Sequence, residues 1–132
     1  MVKKYFKKII AQSPQDLQVI SACCEGGKIK IEEIKYLPKN KIFLFLIERN
    51  AREKENPKEK VKSIVKFEYI EKSKSKNIDR TKVDSFVELT AINLFKNNKN
   101  YEITLLFSNN GIITLTAEIV EAVLEDQNIN ND

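Results

Sequence analysis

The 132-residue chain is predicted to be a single α+β domain, built mainly as an antiparallel sheet of hairpins, with one helix near the N-terminus and a short one at the C-terminus. Three observations predict this. Apolar residues recur at every second position over several runs, as in Tyr101, Ile103, Leu105 and Phe107, which is the spacing of a half-buried strand. Turn-forming residues separate these runs at short intervals. Helical spacing with a start signal or an amphipathic face occurs at about residues 14–25 and 118–126. The domain is expected to span residues 1–127, with 128–132 as a frayed tail.

Residues 5–11 read as a short first strand. Ser13 can then cap a helix, Pro14 suits its first position, and Asp16 stands where a capping box places an acid. Leu17, Ile20 and Cys24 follow at helical spacing, and Gly26-Gly27 supplies the stop. Ile29 and Ile31 alternate with lysines, but the phase slips at Glu32-Glu33 before Ile34 and Tyr36, which predicts a bulge or break. After a turn at residues 37–41, residues 42–47 are apolar on both faces, as in a central strand covered on both sides or passing under a helix. Residues 48–60 read as a solvated loop or strand extension and residues 71–82 as a second charged loop, flanking a strand that carries Val61, Val65, Phe67 and Tyr69.

Residues 86–95 fit both periods; a strand is preferred, because no helix cap precedes them and turn-like residues follow. Asn109-Asn110-Gly111 predicts a hairpin pairing residues 101–108 with 112–117. Ile119, Val120, Val123 and Leu124 lie opposite Glu118, Glu121 and Glu125 if residues 118–126 form a helix. Six or seven strands ending in a helix would suit a curled half-barrel of the pleckstrin-homology kind, a likeness of architecture alone.

Net charge is +4, but it is unevenly placed: residues 1–66 hold 16 basic and 8 acidic side chains, residues 67–132 hold 7 and 11. The bases are 20 Lys and only 3 Arg, beside 13 Asn and 17 Ile, a bias that AT-rich coding produces whatever the function. No segment approaches the roughly 20 apolar residues of a membrane span, and Lys7 and Lys8 interrupt any signal-peptide core, so a cytoplasmic protein is expected.

The chemistry available is narrow. The chain has no histidine, which removes the commonest general base and metal ligand. Three glycines form no phosphate-cradling loop, and no serine sits in a nucleophile elbow. Cys23 and Cys24 are adjacent, too close for an ordinary disulfide, and read as reduced thiols on the helix. Glu32 and Glu33 would point to opposite faces of a regular strand and share no site. No catalytic residue, cofactor or metal is expected, and an enzyme is the least favoured class.

Residues 16–22 (Asp16-Leu17-Gln18-Val19-Ile20-Ser21-Ala22) and Ile34-Lys35-Tyr36-Leu37-Pro38 open an ordered set of matches. It continues through Phe43-Leu44, Glu48-Arg49, Phe67-Glu68, Leu89-Thr90-Ala91-Ile92, Leu105-Leu106-Phe107 and Gly111-Ile112-Ile113, and ends in residues 119–126. In this set, which covers nearly the whole chain, the sequence resembles a small alphaproteobacterial family known as domain of unknown function 2948. It departs from that pattern after Arg49, where Asn50-Ala51-Arg52-Glu53 carries no aromatic residue. The resemblance implies a bacterial cytosolic protein and transfers no chemistry.

Two function classes remain: a non-catalytic binding or adaptor domain with a protein partner, and a nucleic-acid-binding module using the basic first half. The second lacks clustered aromatic–basic stacking motifs. Arginine is the more informative base in so lysine-rich a chain, because its planar fork grips carboxylate or phosphate bidentately. Arg49, Arg52 and Arg80, with Lys72, Lys74 and Lys76, are therefore the candidate partner-binding residues, expected to form one basic rim if their connections share an end of the sheet.

Overall fold

The structure is a computed structural model that describes residues 7–50 and 60–127. These form, in chain order, β1 (Lys8–Ala11), α1 (Pro14–Cys24), β2 (Lys28–Leu37), β3 (Ile42–Asn50), β4 (Lys60–Phe67), β5 (Ile70–Lys76), β6 (Phe86–Asn97), β7 (Asn100–Phe107), β8 (Ile112–Ala117) and β9 (Ala122–Asp126). The nine strands make one open, antiparallel sheet in the order β1-β9-β4-β3-β2-β6-β7-β8-β5. Residues 5 and 6 of the expected first strand, most of the first charged loop and the tail at 128–132 lie outside the described residues.

The helix forms as its start signals require. Ser13 Oγ accepts the Asp16 N–H at 3.1 Å, Pro14 opens the first turn, and Leu17, Ile20 and Cys24 form the buried stripe. Gly26 takes φ 82° to end it. Gly27 answers to space rather than conformation: a Cβ there would lie 2.6 Å from Ile47 Cδ1. The glycine pair also docks α1 on β6, with Gly26 N–H donating to Leu89 O and Leu89 N–H to Gly27 O.

The phase slip in β2 is a bulge. Ile29 pairs with Ile47, but Ile34 pairs with Phe45, and between them Ile31 and Glu32 donate instead to Ser85 and Val83. β3 is central, between β2 and β4. Phe43, Phe45 and Ile47 are buried on one face, while Ile42, Leu44 and Leu46 are half-buried on the other. The Phe43, Phe45 and Phe67 rings lie 6.4–6.5 Å apart, centroid to centroid. They join one core with Ile103, Leu105, Ile113 and Leu115 from the other half of the sheet. At β5 the sheet curls back, Ile70 donating to Lys41 O at 2.8 Å in the turn before β3.

Three sequence expectations are corrected. The C-terminal helix is absent: residues 122–126 are β9, between β1 and β4. Ala122, Leu124 and Asp126 are buried in alternation, and pairing on both sides outweighs the helical spacing. The second charged loop begins as a strand, β5, since lysine–serine alternation suits an edge wet on one face. Nine strands stand where six or seven were expected. The hairpin of β7 with β8 forms, but its left-handed residues are Asn109 and Asn110 (φ 63° and 66°), while Gly111 admits Ile78 beside it. Residues 86–95 are strand, within β6.

Candidate functional site

The inward parity of β3 continues past Ile47 to Arg49, so the arginine enters the core beside strands that carry their own polar residues there. Ser63 on β4 pairs with Asp126 on β9 and with Ile47 on β3. Arg49 Nε donates to Ser63 Oγ at 2.9 Å, Arg49 Nη2 to Asp126 Oδ1 at 2.9 Å, and Ser63 Oγ to the same oxygen at 2.7 Å. Asp126 Oδ2 accepts the backbone N–H of Lys7 at 2.8 Å. Arg49 is 0% and Asp126 5% exposed. This cluster crosslinks β3, β4, β9 and the start of the described chain, and its side chains are buried. Cys24 lies within range of the cluster's charges. Burial pushes its thiol up to about 12, against the pull of Arg49, so it is a protonated core residue and not a nucleophile.

Arg49 is thus corrected: it belongs to the core and not to an exposed rim, because strand alternation buries it where a carboxylate awaits. Arg52 lies outside the described residues. Arg80 is in the loop after β5, its Nη2 donating to Ile34 O at 2.8 Å. Of the two described arginines, Arg49 is buried, so it shares no surface with Arg80. Asp126 and Ser63, which sequence reasoning missed, carried a signal: each continues the buried alternation of its strand.

The lysines fare differently. Lys72, Lys74 and Lys76 are all exposed on β5, the last strand of the sheet, bonded to β8 on one side only. Register places them on one face: Lys72 opposite Thr116, Lys74 opposite Thr114, Lys76 opposite Ile112. The rows continue through Glu102, Thr104 and Leu106 of β7 to Phe95, Asn93 and Ala91 of β6. Successive lysines are therefore spaced by about 6.6–6.8 Å along one edge. Elsewhere, Lys30, Lys41, Lys60 and Lys66 each stand within 3.9 Å of a carboxylate. Among the described residues none faces Lys72, Lys74 or Lys76 in an ion pair. Their end of β5 is bounded by Ile70, whose N–H is taken by Lys41 O and whose C=O is taken by the Tyr36 hydroxyl at 3.0 Å.

No helix among the described residues is long and apolar enough to cross a membrane. No curated protein and no solved structure matches the chain. A family described as "Protein of unknown function (DUF2948)" matches residues 7–131. That match takes in the helix, all nine strands and both polar arrangements, and the chain belongs to this family.

Proposed function

We propose that the chain is a non-catalytic binding or adaptor domain of the bacterial cytoplasm that recognises a protein partner. The observation that carries this reading is the open β5 edge, where three exposed lysines stand in line with no carboxylate against them among the described residues. The core adds support. Its buried polar side chains bond to one another, and its buried thiol stays protonated, so neither presents a reactive group to a substrate. We read the curl of the sheet as a half-barrel of the pleckstrin-homology kind, supported by the return of β5 to the turn before β3. Nucleic-acid binding through the basic first half has less support, since Arg49 is buried and Lys30, Lys41, Lys60 and Lys66 already face carboxylates.

The test is chemical cross-linking of the full chain in bacterial lysate, followed by mass spectrometry with and without nuclease. Protein cross-links that survive nuclease and raised salt are expected. Complexes lost to nuclease, with affinity falling steeply as salt rises, would instead establish the nucleic-acid reading.

A further inference from the structure

We infer that the open edge of β5 binds a short, acidic, extended segment of a partner protein, which joins the sheet as one more strand. This rests on the protein-binding reading and names the partner's chemistry. Two features of β5 argue for it. Beyond Ile70, alternate backbone N–H and C=O groups of Lys72–Lys76 point away from β8 and meet no backbone partner among the described residues. That is the template that strand addition uses. The lysine face then selects what may pair. A second copy of β5 would set Lys72, Lys74 and Lys76 against the same lysines, and like charges directly opposite destabilise a strand pair. The sheet's other edge, β1, is Lys8-Ile9-Ile10-Ala11 and offers no carboxylate to meet the lysines in head-to-tail stacking of copies. Edge lysines thereby refuse this chain to itself while favouring an acidic strand, a discrimination made by repulsion as much as attraction.

The site also sets the segment's length and pattern. Lys41 and Tyr36 occupy the outer groups of Ile70 and stop an added strand there, which leaves about five residues of edge, roughly 17 Å. Acids at three alternate positions would meet the lysines. The residues between would lie beside Ser73 and Ser75, on the face shared with Leu115 and Ile113. A nucleic acid is less well matched. The exposed Phe95 ring on this face is three strands from Lys72, about 14 Å, and Glu102 lies between them.

The test uses the full chain, a nine-residue capped peptide alternating Glu and Thr, the same peptide N-methylated at alternate residues, and oligothymidylate. The unmethylated peptide is expected to bind and to slow exchange of alternate amides within residues 72–76 by at least about tenfold. K72E/K74E/K76E should weaken binding by at least about tenfold, whereas K62E/K82E/K99E, with the same charge change at other exposed lysines, should not. N-methylation should abolish binding. Equal loss in the two charge variants, indifference to N-methylation, absence of peptide binding, or tighter binding of oligothymidylate would each overturn the inference. The underlying reading fails separately. A protein partner that cross-links far from β5 removes this inference alone, while recovery of no protein partner removes the reading even if the peptide binds.

Discussion

Arg49 shows how a single residue reverses its meaning between sequence and structure. As one of three arginines it suggests recognition, yet it is wholly buried and held by Ser63 and Asp126. A buried ion pair is weak evidence for stability, because desolvating both charges offsets their attraction, but removing one partner strands the other. R49M should therefore cost about 3–5 kcal/mol in urea unfolding, and D126N a comparable amount. R49M/S63A/D126L, which removes the three polar side chains together, should be less destabilised than either single variant. The position was legible in principle: Phe43, Phe45, Ile47 and Arg49 keep one parity, as do Ser63, Val65 and Phe67, and Ala122, Leu124 and Asp126. What sequence could not show is that the three polar ends meet, since that depends on a register linking residues 63 and 126. Cys24 is a second case at this scale. Its raised thiol pKa means the fold favours the protonated form, so its contribution to stability is present below about pH 9 and is lost as pH rises towards 12. Alkylation of the folded protein at neutral pH should mark the half-buried Cys23 and spare Cys24, with both modified in denaturant, as mass spectrometry would show.

Among the elements, those with local chemistry were readable and those set by neighbours were not. The cap at Ser13, the stop at Gly26, the slip at Glu32-Glu33 and the hairpin at Asn109-Asn110 act within a few residues of themselves, and each appears where expected. β9 and β5 owe their form to partners far along the chain. β9 has helical spacing but lies between β1 and β4. β5 has too few apolar residues to declare itself and is held by β8. The α1–β2 junction offers a sharp test of packing at this scale. G27A would place a methyl group at 2.6–2.7 Å from the buried Ile47 side chain, and should cost about 1–3 kcal/mol by overpacking, read as a lower urea midpoint. G26A carries the strain of φ 82° instead, so the two variants separate crowding from conformation.

For the whole molecule, the sheet has a guarded middle and an unguarded end. β3 and β4 are paired on both sides, and their inward faces hold the phenylalanine cluster and the Arg49 crosslink. β5 is paired on one side, and its lysines face solvent. The candidate surface was half visible in the sequence as lysines two apart, which alternation turns into one charged face once the segment is known to be a strand. Of the arginines expected in a basic rim, Arg49 is buried and Arg80 is bonded to the Ile34 carbonyl, while Arg52 lies outside the described residues. The openness of β5 can be read in the free protein by residue-resolved amide exchange in dilute solution. Amides of β3 and β4 should be the slowest in the chain, while within residues 72–76 alternate amides, those turned away from β8, should exchange at rates near those of loops. Uniform protection along β5, matching that of β3, would show that the edge is already covered and would contradict its role as the binding surface.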